Sequence, residues 1–331
     1  MPIGVPGTAE SHLSKDIARL MDRRRALGLV AAAAGVPLIG ACTRSATGGV
    51  AGSGAAVSSA CILWPEETNG PYPADGTNNA QGSLANVLIE AGIIRQDMRQ
   101  SFGDCSGEAP GVPMTLAMRL VNSKDGCSPL AGYAVYAWHC TADGLYSLYN
   151  LADQNYLRAV GVTSDTGELT FTTIFPGCYM GRVPHIHFEI YPSLEAASVY
   201  GNRKLCSQIA FPDALSEEIY NGQSEYADSI QPFQRISLAT DNVFSDNTAE
   251  EMAAQTATMT GSVESGLTAA VVVGIDPDAE PVSAGPGPGG PDGFPGGPPP
   301  DGMTPPGGMP PGPPPEGFSG QMPPGPPPTS E

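Results

Sequence analysis

Pro184-His185-Ile186-His187-Phe188-Glu189-Ile190-Tyr191 is the stretch from which the rest of this chain can be read. Side chains alternate faces along an extended strand, so His185 and His187 point one way while Ile186, Phe188 and Ile190 point the other. The apolar face demands a layered β core, and the imidazole face is a two-nitrogen arm for a metal ion. Histidine is scarce, with 4 in 331 residues. His12 lies near the N-terminus, and only His139 remains outside the pair. A His-x-His pair alone also occurs in cupins and zinc hydrolases, so its neighbours have to decide.

Outward from this strand the pattern stays β. Alternating or apolar runs at Met114 to Val121, Tyr133 to Trp138, Leu169 to Phe175, Leu205 to Phe211, Arg235 to Ala239 and Leu267 to Ile275 are predicted strands, separated by Gly, Pro, Asn and Asp. Asp213 to Gln223 alone reads as a helix of any length, after Pro212 and with Ala214, Leu215, Ile219 and Tyr220 on one stripe. Many strands and few short helices predict an all-β fold with a β-sandwich core, spanning residues 61–276 as one domain.

Two tyrosines share the context of the histidines. Pro176-Gly177-Cys178-Tyr179-Met180-Gly181-Arg182 runs directly into the pair, and Trp138-His139-Cys140-Thr141-Ala142-Asp143-Gly144-Leu145-Tyr146 leaves a strand and turns at Asp143-Gly144. Two tyrosines and two histidines therefore share one context. The chain has 11 tyrosines; Tyr72, Tyr133, Tyr136 and Tyr191 are taken as packing residues, with Tyr72 a candidate for the pocket mouth.

With Glu67-Thr68-Asn69-Gly70-Pro71-Tyr72 near the start, the segment Trp138 to Tyr146, Phe171-Thr172-Thr173-Ile174 before Pro176-Gly177, and Arg182-Val183-Pro184-His185-Ile186-His187-Phe188, the sequence resembles the intradiol ring-cleavage dioxygenases, especially their exported bacterial members. The resemblance runs from about Cys61 to Ile275. It implies a mononuclear non-haem Fe(III) held by Tyr146, Tyr179, His185 and His187 on a β-sandwich. It also implies that a small aromatic diol binds through both oxygens and displaces Tyr179, whose phenolate accepts a proton. Dioxygen then cleaves the ring between the two hydroxyl-bearing carbons to a cis,cis-muconate-type diacid. By the same correspondence Arg182 stabilises charge building on the ring and Gln208 steers it by hydrogen bonding. Asn69, Pro73 and Cys178 depart from the family pattern at the pocket edge and bear on substrate choice. Arg158 and Arg203 are candidates to meet a carboxylate on the ring.

The ends of the chain read differently. Arg23-Arg24-Arg25 followed by the apolar run Ala26 to Ile39 is too short to span a bilayer and resembles a twin-arginine (Tat) export signal; Ile39-Gly40-Ala41-Cys42 resembles a lipobox. Residues 1–41 are therefore expected to be a leader, Cys42 a lipidated membrane anchor, and residues 42–60, rich in Gly, Ala and Ser, a tether. An exported, periplasmic or cell-surface protein follows. Cys61, Cys105, Cys127, Cys140, Cys178 and Cys206 then form an even set that allows up to three disulfides, with the pairing left open by the sequence. Residues 277–331 are Pro/Gly-rich with scattered Met303, Met309 and Met322, a composition that does not fold.

A formal net charge of −19 excludes nucleic acid as a natural partner. Two other functions fit parts of the pattern: a tethered β-sandwich binding module with a non-catalytic metal site, and a zinc or manganese hydrolase with Glu189 as its acidic ligand.

Overall fold

A computed structural model describes residues 61–280. The expected leader, the lipidated Cys42, the tether and the Pro/Gly-rich tail beyond Glu280 lie outside the described residues. Within them the strands are β1 (Asp75–Ala80), β2 (Ser83–Asn86), β3 (Pro113–Asn122), β4 (Ser128–Pro129), β5 (Ala134–Trp138), β6 (Arg158–Val162), β7 (Glu168–Ile174), β8 (His185–Tyr191), β9 (Leu205–Ala210), β10 (Thr258–Ser262) and β11 (Gly266–Ile275). The helices are α1 (Asp213–Gly222), α2 (Ile230–Phe233) and α3 (Ala249–Gln255), with short 3-10 turns between elements.

Two sheets face each other, as the alternating patterns predict. One runs β10-β11-β3, with β4 and β7 both pairing along the far edge of β3; the other runs β6-β5-β8-β9, antiparallel throughout. Met114, Leu116, Met118 and Leu120 of β3 turn inward against Ile186, Phe188 and Ile190 of β8 in one apolar core. Strand β11 pairs with β3 in parallel, from Leu267 opposite Met114 to Ile275 opposite Asn122.

The second sheet is buried on both faces. Its outer face packs Ala134, Tyr136, Trp138, Val160 and Tyr191 against Ala74, Val87, Leu88 and Ile93 from the N-terminal segment around the β1–β2 hairpin. A strand covered on both sides hides every residue, and all seven residues of β8 are buried. Register then sets the functional row: Trp138 lies opposite His187, and His187 lies opposite Gln208.

Helix α1 follows the expected span, and α3, which the periodicity did not announce, starts at a capping box between Thr248 and Glu251. The strand expected at Arg235 to Ala239 is instead a run of turns: Arg235 N–H bonds Pro232 O, Ile236 N–H bonds Phe233 O, and Asp241 N–H bonds Ser237 O. Ile236 and Leu238 alternate like strand residues, but both pack on a small cluster of Val183, Ala210 and Phe244.

Of the up to three disulfides that the cysteines allow, one is present among the described residues. Cys61 and Cys127 are bonded, with Cα atoms 5.5 Å apart, while Cys105, Cys140, Cys178 and Cys206 are thiols. Cys140 and Cys178 direct their S–H groups to the carbonyls of Gly177 and Arg182, so backbone acceptors take the place of a sulfur partner. No helix among the described residues is long and apolar enough to cross a membrane.

Candidate metal centre

The four expected ligands come together. His185 Nε2 lies 3.0 Å from His187 Nε2 and 3.3 Å from Tyr179 Oη, and Tyr146 Oη lies 3.5 Å from Tyr179 Oη. Donors each about 2 Å from a common ion lie roughly 3 Å from one another, and these atoms have that spacing. No group of three or more His, Cys, Asp or Glu side chains that could hold a metal occurs among the described residues.

Each donor is placed by local chemistry. Strand β8 supplies both histidines on one face. Tyr146 follows the turn at Gly144, where Thr141 Oγ1 accepts from Leu145 N–H at 2.9 Å, and Tyr146 N–H in turn bonds Asn150 Oδ1 at 2.9 Å. This turn rests on the segment carrying Tyr179: a Cβ on Gly144 would stand 3.3 Å from Tyr179 Cβ, and one on Gly177 would stand 2.4 Å from Thr141 O. Both glycines are needed so that the two tyrosine loops can touch. Ser229 ties them further, its Oγ accepting from Cys178 N–H (2.8 Å) and donating to Ala142 O (2.7 Å).

The donors fit a cation electrostatically. Burial, and then the nearby Arg182 charge, push His185 down to about 3; burial and His185 push His187 well below the usual imidazole range. Both rings are therefore neutral at physiological pH. His185 Nδ1 sits 2.6 Å from Val183 O, which fixes its proton there and leaves a lone pair on Nε2. His187 Nδ1 is buried without a hydrogen-bond partner. Burial raises Tyr146 well above the ordinary phenol range, and raises Tyr179 to about 12 even though Arg182 opposes it. Phenolates at this depth need a compensating cation, and ferric iron matches two phenolates with two neutral imidazoles. Tyr146 is buried, whereas Tyr179 is half-buried at the edge of the cluster.

Arg182 and Gln208 join the same site. Arg182 Nη2 donates to Gln208 Oε1 at 2.5 Å, and Gln208 Nε2 donates to Thr68 O at 2.8 Å. Arg182 Nε is held by both oxygens of Asp241, at 3.1 and 3.0 Å. Asp241 is fully buried and also accepts from the N–H groups of Val183, Val243 and Phe244. Burial works against its carboxylate, but Arg182 and these donors outweigh it and hold Asp241 below its ordinary range. Nothing in the sequence marked Asp241, because its partner lies 59 residues away.

The other candidate cations are engaged elsewhere. Arg158 is buried and directs Nε to Ser147 Oγ, Nη1 to Pro73 O and Tyr136 Oη, and Nη2 to Tyr72 O and Ser147 O, using every N–H that a guanidinium has. It clamps the N-terminal segment and cannot meet a substrate carboxylate. Arg203 pairs with Glu66 at 3.1 Å and stacks over Tyr200. Glu189, the acid that a hydrolase would need, accepts from Tyr191 Oη at 2.7 Å.

The Dioxygenase_C family model, described as a dioxygenase, matches residues 88–219. An intradiol ring-cleavage dioxygenase from Tetranychus urticae is 26% identical over 66% of this chain and 97% of its own, with a TM-score of 0.51. A second dioxygenase crystal structure is 25% identical with the same coverage and a TM-score of 0.50. No curated protein matches the chain. Residues 88–219 thus match a dioxygenase family model, and the sandwich is similar to that of an intradiol ring-cleavage dioxygenase.

Proposed function

We propose that this protein cleaves a catechol-type ring between its two hydroxyl-bearing carbons with dioxygen, giving a cis,cis-muconate-type diacid, on a mononuclear non-haem Fe(III) held by Tyr146, Tyr179, His185 and His187. The convergence of these two phenol oxygens and two imidazole nitrogens, each within 3.5 Å of a neighbour in the set, is the observation that supports it. Ferric iron in that position draws electron density from a bound aromatic diol and so makes a ring carbon reactive toward dioxygen.

The chain's own groups do the rest. Tyr179 is the donor at the edge of the cluster, and its Oη, as a phenolate, would accept a proton from the incoming diol. Tyr146, His185 and His187 stay fixed, because burial leaves them no room to exchange with solvent. Arg182, always protonated and held in place by Asp241 and Gln208, stabilises negative charge on the diol and its ring. Gln208, anchored on Thr68 O, orients the same charge. The Arg23-Arg24-Arg25 signal and Cys42 make the enzyme an exported, lipid-anchored one in this proposal.

Purified full-length protein loaded with ferric iron should show a visible tyrosinate-to-iron band. Catechol should shift that band and consume dioxygen, and Tyr179→Phe should change it. Protein that takes up no iron and remains colourless would refute the proposal.

A further inference from the structure

The two histidine ligands are held by different means. His185 is locked by a 2.6 Å hydrogen bond from Nδ1 to Val183 O, whereas His187 Nδ1 is buried with no partner at all. A metal-ligating imidazole is ordinarily oriented through its second nitrogen, and a ring that lacks that bond is free to turn about its own χ angles unless packing stops it.

Packing does stop it. The indole of Trp138 lies flat on the His187 ring, with centroids 4.9 Å apart and planes inclined by 5°, and Tyr136 backs the indole at 4.8 Å. At the ring's edge, Gly70 stands so close that a Cβ there would be 3.2 Å from His187 Cε1. Gly70 has φ +70 and its N–H bonds Thr68 Oγ1, so the segment Glu67 to Tyr72 is set at this approach by its own turn. The same segment offers Thr68 O to Gln208 and lays the Tyr72 ring 4.8 Å from that of Tyr146.

We infer that Trp138 and Gly70 are positioning residues that clamp the His187 ring from its face and its edge, replacing the hydrogen bond that orients His185, and that iron retention depends on this clamp. The inference rests on the proposed iron site. It assigns a purpose to the Glu67–Tyr72 segment, which touches the site at three places while supplying no ligand. His187 is thereby the ligand whose hold on iron depends on shape rather than on a hydrogen bond.

The test is the rate at which full-length, iron-loaded protein releases iron to a chelator, followed by loss of the visible band, with thermal midpoints measured alongside. Trp138→Leu and Gly70→Ala should release iron about tenfold or more faster than wild type, the usual effect of removing a group that orients a ligand. Trp138→Phe keeps a flat ring on His187 and should stay within about threefold of wild type. Ile190→Val, on the opposite face of the same strand, should lower the thermal midpoint without speeding release. If Trp138→Leu does not fold, Gly70→Ala decides alone. Release from the clamp variants at the wild-type rate, or equal acceleration in Ile190→Val, overturns the clamp and leaves the iron site standing. Wild-type protein that takes up no iron overturns the proposed function and the clamp with it.

Discussion

Replacing Asp241 by Asn tests the one buried ion pair of the site. The carboxylate is fully buried, its partner Arg182 is 7% exposed, and the two meet at 3.0 Å. Val183 N–H uses one carboxylate oxygen and the N–H groups of Val243 and Phe244 the other, so Asn removes the charge together with one of these two acceptors. Removing one partner of a buried pair costs about 3–5 kcal/mol, because the remaining ion is left uncompensated in a poorly polarisable interior. Counted from the uncompensated charge alone, at the lower end of that range, the expected loss is about 3 kcal/mol. A domain of this size loses about 2–4 °C per kcal/mol, so the midpoint should fall by roughly 6–12 °C. Urea unfolding of iron-free protein measures the loss without a contribution from metal binding. Adding Arg182→Met removes the stranded cation, so the double variant should regain at least about 1 kcal/mol over Asp241→Asn. A single variant within about 0.5 kcal/mol of wild type, or a double variant whose losses simply add, would refute the assignment of Asp241 as the counter-charge of Arg182.

Three further outcomes follow from other parts of the structure. Cys61→Ser opens a loop closed across 66 residues and should cost about 2–4 kcal/mol by urea unfolding under oxidising conditions, with no difference from wild type in reductant. Burial raises Glu67 to about 6 from 4.5, with Asp246 adding to the rise and Asn247, Gln255 and Arg182 opposing it. The folded protein thus holds that proton more tightly than the unfolded chain, and the stability it contributes is complete below pH 4.5 and lost as pH rises through about 6. Glu67→Gln should accordingly gain on wild type as urea midpoints are compared from pH 4.5 to pH 7.5. Because Arg158 has no N–H to spare, an unsubstituted aromatic diol should be turned over with a kcat/KM at least about tenfold above that of 3,4-dihydroxybenzoate, and the reverse order would contradict the role given to Arg158.

How much could be read in advance depended on whether a residue's partners were near it in sequence. Strands β3, β7, β8 and β11 carry one apolar face that must be buried, and their alternation announced them. Strand β6 begins at Arg158, whose burial is tolerable only because Tyr72, Pro73, Tyr136 and Ser147 supply acceptors from three other segments. The hairpin Asp75–Asn86 is mostly polar and is held by tertiary bonds such as Tyr149 Oη to Asn78 Oδ1, which no local pattern encodes. Ile236 and Leu238 misled because alternation also arises when successive turns set two apolar residues on one small cluster. The four residues proposed as ligands were legible because Tyr146 and Tyr179 sit in short motifs leading to the site, whereas Asp241 and the approach of Gly70 to His187 exist only once the chain is folded.

The parallel pairing of β11 with β3 has a consequence for biosynthesis. The strand at the centre of the first sheet waits for a neighbour about 150 residues downstream, so the ribosome must release the chain past Ile275 before the sandwich can close. Until then the tyrosine loops and the histidine strand have no finished layer to rest on. If the centre holds iron as proposed, its insertion is a late, post-translational event, and a nascent chain halted before Gly266 should remain dependent on chaperones and free of metal.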